Sequence, residues 1–242
     1  MIERISFTKM RHTKPYPYIS PTRPELSAGG KNVVVTGGGT GIGNAIGVAF
    51  AQADAKSVSI IGRRLDKLKS GAATISAASK ETQVLYEVTD LLNLSQVDTA
   101  LKGIVEKVGK IDILVSNAGY VPIPGHLVGY NAENLAHGFE LNVLSAFNAF
   151  QSFIPLVGPD TVLLNTSTCL ANMSPWPGVS GYAIMKAANM KMMDYFAAEN
   201  PNLHVVNVQQ RLGAYRVEWT SEGGARYRYV LSCHAMEVHS NC

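Results

Sequence analysis

Between residues 31 and 208 the sequence alternates short apolar runs, rich in β-branched residues, with longer stretches of helical period. The runs are Val33-Val34-Val35, Val58-Ser59-Ile60-Ile61, Val84-Leu85-Tyr86, residues 111–115, Val162-Leu163-Leu164 and residues 204–208. Between them lie predicted helices over 45–53, 65–78, 94–108, 132–153 and 182–198. Continuous apolar runs suit strands covered on both faces, as parallel strands are. Strands separated by helices imply right-handed crossovers and helices on both sides of one sheet. The expectation is an α/β fold, a doubly wound parallel sheet of six strands, over residues 31–209. A chain of 242 residues accommodates it as one domain.

The first run leads into Thr36-Gly37-Gly38-Gly39-Thr40-Gly41-Ile42-Gly43, and a helix follows. Glycines permit a tight turn with positive φ and let the backbone approach a pyrophosphate closely. The helix behind them offers free N–H groups and a positive dipole end to that anion. A glycine string means little alone; between a strand and a helix it reads as a dinucleotide cradle. Farther along, Tyr182 and Lys186 stand four residues apart on a predicted helix and share one face. A phenol ionises near pH 10, too high for a base at neutral pH, and a neighbouring ammonium lowers that value.

Thr-Gly-x-x-x-Gly-x-Gly at 36–43, Asn117-Ala118-Gly119 at the end of the fourth run and Tyr182-x-x-x-Lys186 together resemble the short-chain dehydrogenase/reductase family. The resemblance covers the segment from Lys31 to the sixth run. It implies cofactor contacts from Gly37, Gly39, Thr40, Gly41, Ile42 and Gly43, with Asn117, Ala118 and Gly119 lining the adenosine side. It implies that Tyr182 passes a proton to or from a carbonyl or secondary-alcohol substrate, and that Tyr182 and Lys186 also contact the cofactor, Lys186 by holding the nicotinamide ribose. The family's hydroxyl donor aligns with Thr168, or with Ser167 if the strand slips by one residue; Cys169 stands at the alternative spacing. Asn142 resembles the helix asparagine that supports a water-linked proton path to the lysine. The family's adenine-contacting aspartate is replaced by Glu87, so that contact carries over weakly. Family members assemble through the two long helices, which makes a homodimer the expected partner.

The second run ends in Gly62-Arg63-Arg64 with no acid at its tip. An acid there would hold the ribose 2′-OH of NAD, whereas a base suits the 2′-phosphate of NADP. NADP is therefore the expected cofactor ahead of NAD, with Arg63 as its first contact and Arg64 as second.

Beyond Gln209 the resemblance ends. The family follows its sixth strand with Pro-Gly, a substrate-covering segment and a seventh edge strand; here Gln210-Arg211-Leu212-Gly213 follows. Residues 210–242 show no clear amphipathic period and are expected to form a poorly ordered tail, leaving the sixth strand an unpaired edge. The chain reads as truncated there. Two functions follow: an NADP-dependent oxidoreductase with a Tyr-Lys relay, or a truncated nucleotide-binding pseudoenzyme, an inactive fragment without turnover. Residues 1–30, with Pro15, Pro17, Pro21 and Pro24, are expected to be an extended surface arm.

Composition removes other classes. The net charge of +3 is small and scattered, which argues against nucleic acid. Cys169, Cys233 and Cys242 show no metal or disulfide spacing, so no metal is expected. No apolar run nears the roughly 20 residues of a membrane span, and the first 20 residues lack the apolar core of a signal peptide. A cytoplasmic protein is expected. Asp112 reads as a local hydrogen-bond acceptor, His126 and His137 as surface or packing residues. Trp176, between Pro175 and Pro177, suits a packed loop and a pocket wall equally.

Overall fold

Val33, Val34 and Val35 are almost wholly buried because their strand runs through the middle of the sheet. The computed structural model describes residues 16–172, 174–210, 214–220, 226–231 and 236–239. Its strands and helices are β1 Asn32–Thr36, α1 Gly41–Gln52, β2 Ser57–Gly62, α2 Leu65–Ala78, β3 Gln83–Val88, α3 Leu94–Val108, β4 Ile111–Ser116, α4 Ala132–Phe139, α5 Ser145–Phe153, β5 Val157–Thr168, α6 Ser180–Glu199 and β6 His204–Gln210. Three further strands follow: β7 Ala214–Thr220, β8 Arg226–Leu231 and β9 Met236–His239. The main sheet has the order β3-β2-β1-β4-β5-β6-β9, and β1 to β6 are parallel. The order reverses between β1 and β4, and in open α/β sheets ligands bind outside the strand C-termini at such a reversal.

Alternation along β1 divides the core. Val33 and Val35 pack with Ile46, Val58, Ile60, Leu68 and Ile75 beneath α1 and α2. Val34 belongs to the opposite layer, with Leu101, Ile104, Leu114, Phe150, Phe153 and Met193 under α3, α5 and α6. Phe150 and Phe153 are completely buried, and each such ring contributes roughly 1.5–3 kcal/mol relative to an exposed one.

Two expectations need correction. The single helix expected over 132–153 is broken by a π-helical turn, Glu140–Leu144, between α4 and α5. The six-stranded sheet has a seventh strand: β9 pairs antiparallel with β6, Val208 opposite Val238 and Gln209 opposite Glu237. An open edge of N–H and C=O groups accepts any extended segment that reaches it, and the chain returns to fill this one after the separate β7–β8 hairpin. The pieces of the tail between these strands, residues 211–213, 221–225, 232–235 and 240–242, lie outside the described residues, as do Cys233 and Cys242.

Residues 1–15 of the expected arm also lie outside the described residues. From Tyr16 the chain makes two short 3₁₀ turns, Pro17–Ile19 and Pro24–Leu26, each with proline in its first positions, where the missing N–H costs nothing. It then docks on the C-terminal end of α1 through Ala28 N–H to the carbonyl of the cap residue Ala53, 2.6 Å. Among the described residues no helix is long and apolar enough to cross a membrane.

Candidate functional site

The glycine turn sits at the C-terminal end of β1. Gly37 (φ +66°) and Gly41 (φ +56°) take left-handed backbone that side-chain-bearing residues avoid. Gly43 is required by close approach instead: a Cβ there would lie 2.5 Å from the Gly37 carbonyl oxygen and 2.6 Å from Asn117 Nδ2. Thr40 is extended, precedes α1 and makes no side-chain cap bond. The first N–H groups of α1 lack intrahelical partners, so Gly41, Ile42 and Gly43 present donors to an anion at the turn. Gly39 lies against the backbone of Lys67 on α2.

Thr36, the last residue of β1, ties this turn to the tip of β4. Its Oγ1 accepts from the Asn117 and Ala118 N–H groups, both at 2.9 Å, and donates to the Val115 carbonyl at 3.3 Å. Asn117 returns a bond from Nδ2 to the Thr36 carbonyl, 3.1 Å. Gly119 brings the β4 tip against the other half of the site: a Cβ on it would stand 3.0 Å from Asn142 Oδ1 and 3.7 Å from Lys186 Nζ. Asn142 occupies the π-helical turn and is 1% exposed. Its Oδ1 accepts from Tyr120 N–H, and its Nδ2 donates to the Tyr120 and Gly138 carbonyls. Its side chain thereby clamps the loop leaving β4.

Tyr182 lies in the first turn of α6, with Lys186 one turn on. The Lys186 ammonium is 5.9 Å from the centre of the Tyr182 ring and donates to the Thr166 carbonyl on β5 at 2.8 Å. Burial, with a smaller contribution from nearby Cys169, pushes the Tyr182 phenol up to about 12. In the protein alone, Tyr182 therefore holds its proton at neutral pH. Thr168 ends β5, and its Oγ1 accepts from Leu170 N–H at 3.4 Å, which leaves its hydroxyl proton available for donation. Ser167 is buried and its hydroxyl has no partner among the described residues.

Burial pulls the Lys186 ammonium down to about 8 from 10.5. The unfolded chain keeps that proton to higher pH, so between those values it binds more protons than the folded state. Stability then rises with pH across that window. Tyr182 acts oppositely, but only above its unfolded value of 10. The melting temperature should therefore rise between pH 8 and about 9.5, and Lys186→Met should remove the rise. An unchanged slope in that variant would assign it to another group.

Arg63 and Arg64 follow β2 and are exposed, and neither has an ion-pair partner among the described residues. Glu87, at the end of β3, is held by Lys107 of α3 at 2.7 Å, so its carboxylate is engaged by a helix. Asp112 is not a local acceptor: it takes the Asn32 N–H at 2.8 Å and pairs with Lys31 at 3.7 Å, linking β4 to β1. His137 contacts Glu140 and the edge of Tyr120, and Trp176 is partly exposed on the loop before α6. Among the described residues no group of three or more metal-binding side chains converges. The sequence pattern marks Thr36 only as the first residue of the glycine motif and gives Asn165 and Asn189 no site role, because the partners of these two asparagines lie 24 to 47 residues away.

Comparison with known proteins bears on the family and the fold. The sequence model of the short chain dehydrogenase family matches residues 31–213. The short chain dehydrogenase/reductase AacuD of Aspergillus aculeatus is 29% identical over 202 residues, covering 82% of this chain and 69% of that protein. Across this and three further fungal relatives the chain spans 60% to 69% of the relative's length. Among solved structures, an alcohol dehydrogenase of the archaeon Thermococcus sibiricus complexed with 5-hydroxy-NADP superposes with TM-score 0.69 and 26% identity, covering 77% of each chain. A short chain dehydrogenase of Burkholderia cenocepacia in complex with NADP gives TM-score 0.66 and 28% identity, covering 73% of this chain and 71% of that one. An NAD+-bound xylitol dehydrogenase shares the fold at 22% identity and TM-score 0.66, over 73% and 67% of the two chains.

Proposed function

The chain belongs to the short-chain dehydrogenase/reductase family, and from that premise we propose that it is an NADP-dependent oxidoreductase interconverting a small carbonyl compound and its secondary alcohol. The observation that carries this reading is the convergence of Tyr182, Lys186 and Asn142 beside Gly119, at the end of the sheet that also bears the glycine turn. The turn fits a dinucleotide: Gly37, Gly39 and Gly43 pack too closely against Ala118, Lys67 and the Gly37 carbonyl to carry side chains, which keeps the turn tight, Gly41 faces open space, and α1 offers N–H groups at Gly41 and Ile42. When bound, the cofactor supplies the hydride acceptor or donor. Asn117, Ala118 and Gly119 line the adenosine side. Lys186 holds the nicotinamide ribose and biases the neighbouring phenol toward its anion. Tyr182 delivers a proton to the substrate oxygen in reduction and removes it in oxidation. Thr168, whose hydroxyl proton is free, polarises that oxygen, with Ser167 as the alternative donor.

Arg63, with Arg64 behind it, selects the 2′-phosphate. Both are exposed and without ion-pair partners among the described residues, and charge-assisted bonds of arginine to phosphate are among the stronger hydrogen bonds. The NADP and 5-hydroxy-NADP complexes of two structural neighbours support the choice. The same reading takes residues 31–209 as the nucleotide-binding unit of a cytoplasmic protein, paired with a second copy through the two long helices, the α4–α5 stretch and α6, where Leu144, Phe147 and Tyr195 are exposed.

The test is a titration with NADPH and NADH, followed by melting temperature. A ligand at 100 times its Kd stabilises a competent fold by about 2.7 kcal/mol. NADPH should bind at least about tenfold more tightly than NADH, and Arg63→Ser should remove most of that difference while leaving NADH unchanged. No response to either nucleotide would sink the reading. Tight NADPH binding without turnover on any ketone or alcohol would favour the second function, a nucleotide-binding protein that performs no chemistry.

A further inference from the structure

Tyr182, Lys186 and Asn189 stand at i, i+4 and i+7 on one face of α6. Asn189 is 2% exposed and is a poor helix former for a helix interior. Both ends of its amide are used. Its Nδ2 donates to the backbone carbonyl of Asn142 in the π-helical turn at 2.9 Å, and its Oδ1 accepts from Asn165 Nδ2 on β5 at 2.7 Å. Asn165 donates its second proton to Asn207 Oδ1 on β6 at 2.8 Å. An unbroken row of amides therefore runs from β6 through β5 and α6 to the turn that clamps Tyr120. The next residue of β5 after Asn165 is Thr166, whose carbonyl receives Lys186. Two adjacent points on β5 thus fix α6, one through an amide and one through the ammonium.

We propose that Asn189 is a positioning residue that sets the roll of α6 against β5 and the π-helical turn, and through it the place of the Lys186 ammonium beside Tyr182. The functional part rests on the oxidoreductase reading; the positional part does not. A space-filling position in this layer would accept leucine, as its neighbours Met185 and Met193 are apolar and fully buried. Leucine at 189 would leave the Asn142 carbonyl and the Asn165 amide without these partners, and both are buried. Helix α6 would then relax to satisfy them, carrying Lys186 away from Thr166. Displacements of about 1 Å at a reacting centre cost about a hundredfold in rate.

The experiment is the acylation rate of Lys186 by an N-hydroxysuccinimide acetate, read by peptide mass spectrometry on the folded full chain. Asn189→Leu should raise that rate at least about tenfold and leave exposed Lys191 unchanged. Asn189→Ser, too short to span both partners, should do the same if the leucine variant does not fold. Val97→Ala, in the core of α3, serves as an equally destabilised control when each protein is labelled at the same distance below its melting temperature. Unchanged acylation in the position-189 variants, or an equal rise in Val97→Ala, would overturn the proposal. This arm needs no nucleotide, so it decides the question whether or not the wild type binds NADPH. On a ketone that the wild type reduces, Asn189→Leu should lower kcat about a hundredfold with KM within about threefold; a rise in KM alone would count against positioning.

Discussion

Tyr182→Phe is expected to lower ketone reduction about a thousandfold while leaving NADPH affinity within about twofold, since a positioned proton donor contributes on the order of 10²–10⁴. The substitution keeps the ring and removes only the hydroxyl. Tyr182 is held protonated by its burial, with a value pushed up to about 12, so in the direction of reduction it starts as the acid the reaction needs. The same burial opposes its use as a base, and Lys186 is the cationic group within 6 Å that can offset it. That ammonium is itself pulled down to about 8, so oxidation of an alcohol should have a narrower alkaline range than the free amino acids suggest. The measurement is steady-state turnover across a panel of aromatic and aliphatic ketones, with the nucleotide affinity taken separately by fluorescence. A variant that keeps more than about a tenth of wild-type turnover would mean that the proton comes from elsewhere. A variant that loses NADPH binding as well would mean that the hydroxyl shapes the cofactor site rather than serving the chemistry.

The sheet was legible because β1, β2 and β4 are largely buried and so are written as mainly apolar runs, broken only by Ser59 in β2 and Asp112 in β4. Helices α2 and α3 could be bounded at Leu65–Ala78 and Leu94–Val108 from their apolar period, and Asn93 caps α3 by accepting the Gln96 N–H. Helix α1 begins four residues earlier than its period suggests, at Gly41, because glycine is a weak helix former whose place is set here by the turn it closes. The π-helical turn adds one residue to one turn, a change too small to disturb an apolar pattern, so nothing local announces it. Strand β9 is four residues long and takes its place from the edge it finds on β6, not from its own pattern. The site divides in the same way. The glycines and the Tyr182–Lys186 pair are local spacings and can be read along the chain. The amide row through Asn142, Asn165, Asn189 and Asn207 joins four elements, and no single segment carries its signature.

Adding one carbon at Gly43 should damage both the fold and the nucleotide site, whereas adding it at Gly103 should do neither. At Gly43 the new Cβ would meet the Gly37 carbonyl oxygen at 2.5 Å and Asn117 Nδ2 at 2.6 Å. The first is backbone of the turn itself, and the second is held to the Thr36 carbonyl, so neither can swing aside as the end of a free side chain could. Relief requires α1 to move away from β1 and β4, which opens the turn that Thr36 closes. Such overpacking costs about 1–3 kcal/mol, a fall of roughly 2–12 °C in melting temperature for a chain of this size. Because the displacement deforms the turn whose N–H groups would hold a pyrophosphate, Gly43→Ala should also weaken NADPH at least about tenfold and Gly43→Val at least about a hundredfold. Gly103 lies inside α3 with nothing within 4 Å of its would-be Cβ. Gly103→Ala should therefore stabilise by about 0.4–1 kcal/mol, through the lost freedom of the unfolded chain, and leave NADPH affinity unchanged. Melting curves and nucleotide titrations on the three variants separate the effects. If Gly43→Ala melts and binds like the wild type, the contact between the glycine turn and Asn117 is looser than 2.6 Å packing implies, and the dinucleotide cradle assigned to it loses its support.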